Sequence, residues 1–132
     1  MIKEKSRFHL LLWGNDAEKE TALRIGAETG APVAPFFSIR EVLALIAESR
    51  CLISGDTFSL QAACALNIPV VGIFGPTNPR RNGPFRGRDR AAFFPLECSP
   101  CYQRTCPTAQ CLNGVTAAEI ASHFREIMKH HV

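Results

Sequence analysis

The chain has 132 residues, of which 46% are hydrophobic, 20% charged and 8% aromatic. That balance suits one folded core and argues against intrinsic disorder, while a net charge of +3 excludes a polycation built to coat nucleic acid. No apolar run approaches the roughly 20 residues of a membrane span; the run from Phe8 to Trp13, behind Lys3, Lys5 and Arg7, contains His9 and is too short for a secretory leader, so a cytoplasmic protein is expected.

Phe8 to Trp13, stopped by Gly14-Asn15-Asp16, reads as a strand buried on both faces. Asp16 to Thr29 is polar with apolar positions at Ala22, Leu23, Ile25 and Ala27, and ends at Gly30; it reads as a helix with an acidic start and a glycine C-cap. Pro32 to Phe37 reads as a second strand. Ser38 then caps an amphipathic helix whose inner face holds Ile39, Val42, Leu43, Leu45 and Ile46, ending near Arg50. Cys51 to Ser54 is a third strand, with Gly55-Asp56-Thr57 as its exit. The small-residue helix from Ser59 to Leu66 suits close packing on a sheet. Asn67-Ile68-Pro69 turns the chain into the β-branched strand Val70 to Phe74, closed by Gly75-Pro76-Thr77-Asn78-Pro79. Residues 80–115 read mostly as loop, with a short strand at Arg90 to Phe94. Thr116-Ala117-Ala118-Glu119 is a capping box opening a helix to about His130.

Strands alternating with helices at this spacing imply an α/β fold: a Rossmann-like parallel sheet with flanking helices, in a single domain over residues 1–132. Residues 77–115 form its basic and Cys-rich loop region, and residues 116–130 its last helix. Ligands of such sheets sit at the carboxyl ends of the strands. Two chemistry-bearing loops leave those ends, Gly55 to Ser59 and Gly75 to Pro79.

At the first loop, the helix after Asp56-Thr57 presents free N–H groups and a positive dipole end, a setting for an anion. Thr57 can add a hydroxyl donor. The alternative, which spacing alone favours, is that Asp56 or Thr57 simply caps the helix. The second loop leads into Arg80, Arg81, Arg86, Arg88 and Arg90. Residues 77–104 hold six arginines against Asp89 and Glu97, whereas residues 1–76 hold seven basic and eight acidic side chains. An arginine there can reach a phosphate bound at the helix; an ordinary solvated loop is as good a reading. Phe85, Phe93 and Phe94 interleave with these charges, but no nucleic-acid motif accompanies them, and no nucleic-acid partner is expected.

Four thiols, Cys98, Cys101, Cys106 and Cys111, fall within fourteen positions. The opening C-x2-C suits a zinc knuckle, although the following x4 spacings are looser than usual. Iron–sulfur ligation, a redox dithiol, disulfides and free thiols remain alternatives. Cys51 and Cys64 lie inside elements and read as buried thiols. None of the four histidines has a partner at nucleophile spacing. Glu18, beside Asp16 at a strand-to-helix turn, can accept from a ribose hydroxyl or stabilise the helix N-terminus.

The run from Leu52 to Pro79 resembles the signature of glycosyltransferase family 9, the lipopolysaccharide heptosyltransferases, in which Asp-Ser/Thr-Gly-x-x-His is followed by small residues and a strand ending in Phe/Tyr-Gly-Pro-Thr-x-Pro. The Gly14-to-Glu18 turn and the Cys98-to-Cys111 segment resemble further parts of that family. The resemblance covers about residues 8–120 and implies the C-terminal, donor-binding half of a two-domain GT-B enzyme. It implies an ADP-sugar diphosphate over Asp56 and Thr57, a ribose held by Glu18, and Thr77 near the donor. It also implies inverting transfer to a lipid-linked lipopolysaccharide core saccharide, with no cofactor required. The location implied is the cytoplasm, peripheral to the inner membrane face. Phe58 stands where the family has Gly, and Gln61 where it has His. Gln61 can donate a hydrogen bond but carries no charge. With the acceptor domain and general base outside this chain, in a missing N-terminal half or partner chain, the chain is expected to be inactive alone. The rival is a four-cysteine zinc interaction module on an α/β scaffold; an anion-binding domain using the arginine loop is a weaker third.

Overall fold

The structure, a computed structural model, describes residues 9–84 and 86–130; Phe8, Phe85 and the basic residues before Phe8 lie outside the described residues. The elements in chain order are α1 (Asp16–Thr29), α2 (Ile39–Glu48), β1 (Leu52–Gly55), α3 (Phe58–Ala65), β2 (Val70–Phe74), α4 (Pro79–Asn82), β3 (Arg90–Phe93), α5 (Gln110–Asn113) and α6 (Ala117–Lys129). The chain falls into two compact units, residues 1–42 and 43–132, with the boundary inside α2.

In the first unit, α1 has the bounds its sequence implies. Asn15 caps it by accepting from the Glu18 N–H at 2.9 Å. Glu18 returns a carboxylate oxygen to the Gly14 N–H at 2.7 Å, so two free amides at the helix start are satisfied. Gly30 ends the helix at φ 75° and donates to the Gly26 carbonyl. The two strands expected on either side of α1 shrink to a single parallel bridge between Leu11 and Val33. Leu11 donates to the Pro32 carbonyl and Ala34 to the Leu11 carbonyl. Pro32 has no N–H to extend the ladder on one side, and on the other the Ala34 carbonyl accepts from the Trp13 indole, so the ladder stops. Trp13 braces the segment by donating to the Ala34 carbonyl at 2.7 Å.

Helix α2 opens with a capping box: Ser38 donates from its N–H and hydroxyl to Glu41 at 2.7 and 2.8 Å. Those bonds hold the exposed Glu41 carboxyl below its ordinary range, the backbone bond contributing most. Of the inner-face residues expected, Ile46 is buried, while Ile39 is 67% exposed. Ile39 opens the first turn of the helix.

The second unit is built on a three-stranded parallel sheet in the order β1-β2-β3. The α/β, Rossmann-like class expected from the alternating pattern is therefore present. Leu52 pairs with Val70 and Gly55 with Ile73; Val71 pairs with Arg90 and Phe74 with Phe93. Leu60, Val70, Val71, Phe74 and Ala92 are fully buried between the sheet and its helices. Each large apolar side chain in that set contributes about 1.5–3 kcal/mol on burial. The helix expected from Ser59 begins one residue earlier, and residues 79–115 carry two four-residue helices, α4 and α5, that the sequence pattern did not reveal. Thr116 caps α6 as expected, accepting from Glu119 at 3.1 Å.

Parallel pairing requires the chain to return from the carboxyl end of β2 to the amino end of β3, and residues 75–89 make that journey. Its end is anchored by Asp89, 7% exposed. Asp89 accepts from the Val70 N–H at 3.2 Å and from Arg86 Nε at 2.9 Å. Arg86 also donates to Asn67 Oδ1 and the Ile68 carbonyl. Arg88 donates to the carbonyl and side-chain oxygen of Asn67. One cluster thus ties the entrances of β2 and β3 together. Replacing Asp89 with Ala leaves the Val70 amide and the half-buried Arg86 charge without their partner. We expect a loss of about 2–4 kcal/mol, read as a lower urea midpoint with an unchanged slope.

Candidate functional site

The site lies at the carboxyl edge of the sheet, where β1 and β2 release their loops. Asp56 follows β1 and starts the approach to α3. Its Oδ2 accepts from the Asn82 side-chain amide at 2.6 Å. Asn82 is the last residue of α4. Its backbone carbonyl accepts from Gln61 Nε2 at 2.7 Å. One residue of the second loop therefore grips both Asp56, ahead of α3, and Gln61, one turn into it.

The helix cap favoured by spacing is absent. Thr57 occupies the N-cap position with extended backbone, yet its side chain makes no capping bond. Its hydroxyl instead lies 3.1 Å from the Ser54 hydroxyl. Asp56 is engaged by Asn82. The first amides of α3 are thus without a side-chain cap, and an uncapped helix start is where an anion binds best. Phe58, at the family's glycine position, is 56% exposed.

Thr77 is half-buried in the loop between β2 and α4. The loop is held at several points. Asn78 caps α4 by accepting from the Arg80 N–H at 2.9 Å. Tyr102, from the Cys-rich segment, donates its N–H to the Pro76 carbonyl at 2.9 Å. Its hydroxyl accepts from the Asn78 N–H at 3.3 Å and donates to Asn82 Oδ1 at 3.4 Å. Tyr102 adopts φ 56°, a conformation a bulky residue keeps only where its surroundings hold it. Neither Asn82 nor Tyr102 was singled out from sequence. The available signals were weak: Asn82 is four residues past the Asn78 cap, and Tyr102 is the chain's one tyrosine, sitting among thiols that attract attention first.

Glu18 belongs to the first unit, where its bond to Gly14 makes it a helix-start residue. It also lines a cavity of about 370 Å³ with Leu11, Leu12, Ala17, Thr21 and Ile25. Arg86 and Arg88 sit at the amino edge of the sheet, and Arg90 donates to Glu126 of α6 at 2.9 Å; none of the three is placed to serve the carboxyl edge. The Glu126 carboxyl is held low chiefly by that bond.

All six thiols are free; Cys98, Cys101 and Cys106 are exposed and Cys111 is buried. Among the described residues, no three His, Cys, Asp or Glu side chains gather as metal ligands. Cys111 packs against the loop instead. A Cβ added to Gly75 would lie 3.3 Å from the Cys111 sulfur and 2.6 Å from Leu112 Cγ and Cδ2. Burial, reinforced by the Asp89 charge, pushes the Cys51 thiol up to about 11, and burial raises Cys64 likewise. Cys106 is lowered, first by the Thr108 hydroxyl and then by the Ala109 N–H.

A parallel sheet with flanking helices, and two polar loops tied together at its carboxyl edge, define an α/β domain of the Rossmann-like class. The model of "Glycosyltransferase family 9 (heptosyltransferase)" matches residues 3–112, and the chain belongs to that family. It is 37% identical over 100 residues to lipopolysaccharide heptosyltransferase 1 of Pseudomonas aeruginosa, covering 73% of this chain and 27% of the relative. It is 34% identical over 88 residues to lipopolysaccharide heptosyltransferase 1 of Campylobacter coli, covering 62% of this chain and 26% of that relative. The chain thus spans about a quarter of the length of these curated relatives. No solved structure matches it significantly. Among the described residues, no helix is long and apolar enough to cross a membrane.

Two outcomes test this geometry. Gly75→Ala forces Leu112 aside and should cost about 1–3 kcal/mol; adding Leu112→Ala makes room for the new methyl and should return part of that loss in urea melts. In timed alkylation between pH 7 and 9, Cys106 should react first and Cys51 last. The thiolate is the reactive form, and the lowered group reaches it at the lower pH.

Proposed function

We propose that this chain is the donor-binding part of a family 9 glycosyltransferase that takes an ADP-sugar, with a heptose as the sugar transferred. The observation that carries the reading is the bridging of Asp56 and Gln61 by Asn82 beside an uncapped helix start. In this reading the diphosphate lies against the first amides of α3, with the Thr57 hydroxyl as a further donor and Thr77 facing the donor from the neighbouring loop. Asp56 carries a negative charge next to that position. Its role is then to accept from hydroxyl or amide donors, because it would repel a phosphate placed directly on it.

The reaction breaks the bond between the sugar's anomeric carbon and the diphosphate oxygen. It forms one to an acceptor hydroxyl on the opposite face, which releases ADP and inverts the centre. Charge builds on the leaving diphosphate, and fixed N–H dipoles aimed at that charge lower the barrier. No metal is needed for that task in this reading. The acceptor, a lipid-linked lipopolysaccharide core saccharide, and the base that deprotonates its hydroxyl belong to a further domain or partner chain. Such an enzyme works in the cytoplasm, peripheral to the inner membrane face.

Titration calorimetry with ADP tests the reading. Binding is expected to be weak, and the pair Asp56→Ala and Thr57→Ala should weaken it about tenfold, close to 1.4 kcal/mol. Failure of the unaltered chain to bind ADP, or an affinity untouched by the pair, overturns the assignment.

A further inference from the structure

We propose that Arg81, seated on the ring of Tyr102, is the cation that meets the diphosphate of the donor. The inference rests on the ADP-sugar reading above and names the residue that completes it. It starts from how the structure divides the arginines. Arg86 and Arg90 each meet a carboxylate, Asp89 and Glu126 respectively, at 2.9 Å. Arg88 is bound to Asn67. Their positive charge is neutralised or committed away from the carboxyl edge. Arg80 and Arg81 lie on α4, at that edge, and among the described residues neither forms an ion pair.

Arg81 differs from Arg80 in being held. Its guanidinium carbon lies over the Tyr102 ring, 5.5 Å from the centroid. A ring orients a guanidinium through its face and leaves the edge donors and the full charge available; a carboxylate partner would cancel that charge. The ring is itself fixed, through the Tyr102 N–H to Pro76 and the hydroxyl to Asn78 and Asn82. The next residue along the chain, Asn82, is the one that touches Asp56 and Gln61. The Arg81 backbone is therefore a single residue removed from the atoms that flank the start of α3.

Charge makes such a residue necessary. The start of α3 offers about half a positive charge, and the Asp56 carboxylate beside it opposes an anion with a full negative one. A diphosphate carries more negative charge than that helix end balances. An unpaired guanidinium at the same edge reverses the sum, and its forked donors match two phosphate oxygens at once.

Calorimetry on the full chain separates the outcomes, using ADP and adenosine as probes. Arg81→Ala should weaken ADP about tenfold and leave adenosine within about twofold, as loss of a charge-assisted bond to phosphate requires. Tyr102→Leu should give a smaller loss for ADP alone, because the guanidinium persists without its seat. Arg80→Ala, which removes the same charge from an unseated neighbour, should stay within about twofold for both probes. Urea melts confirm that each variant is folded. If the unaltered chain binds ADP and Arg81→Ala binds it equally well, the assignment of Arg81 fails while the donor site stands. Equal loss of ADP and adenosine in Arg81→Ala also overturns it, since the residue would then support the fold of the site rather than the phosphate. An unaltered chain that ignores ADP sinks both.

Discussion

The Asn82 side chain and carbonyl hold together two loops that leave different strands. Asp56 comes from the end of β1 and Gln61 from the first turns of α3, while Asn82 ends α4 beyond β2. Adjacent parallel strands deliver their carboxyl ends side by side, but they do not by themselves dictate how the following loops meet. A short, charge-assisted amide bond to Asp56 and an amide bond from Gln61 supply that closure. The consequence reaches the helix. With Asp56 engaged by Asn82 and Thr57 turned toward Ser54, no side chain is left to cap α3. The same contacts that order the edge thus leave the first N–H groups of the helix without a side-chain cap.

Parallel topology also sorts charge. A loop from β2 to β3 must visit both edges of the sheet, so arginines a few residues apart land at opposite ends. Arg80 and Arg81 stay at the carboxyl edge, whereas Arg86 and Arg88 are drawn to Asn67 and Asp89 at the amino edge. A stretch that reads as one basic loop is two clusters with different work. One neutralises a buried carboxylate and joins strand entrances; the other keeps its charge in solvent.

The repeating part of the fold was readable from residues alone because it rests on local rules. Asn15 and Gly30 bracket α1, Thr116 opens α6, and the β-branched run at Val70 marks the central strand. Family membership was readable too, from two loops at a fixed separation between Asp56 and Thr77. Where reading failed, the deciding contact was distant or a donor was missing. Pro32, which has no N–H to give, and the Trp13 indole on the Ala34 carbonyl cut a promising strand to one bridge. Asp56 and Thr57 looked like a cap because capping is the local preference; a partner 26 residues away took Asp56, and the Ser54 hydroxyl took Thr57. Tyr102 acts through Pro76, Asn78 and Asn82, contacts that no spacing within its own segment announces.

The Cys-rich segment is joined to the 75–79 loop by packing and by a tyrosine. Tyr102 grips the 75–79 loop by backbone and hydroxyl, and Cys111 and Leu112 press on Gly75 so closely that a methyl there would collide. Glycine at that position is thus the counterpart of a bulky pair 36 and 37 residues later. The segment behaves as a clamp on the loop at the carboxyl edge. Three of its sulfurs face solvent, and the loop is held by an aromatic ring, an aliphatic side chain and one buried thiol.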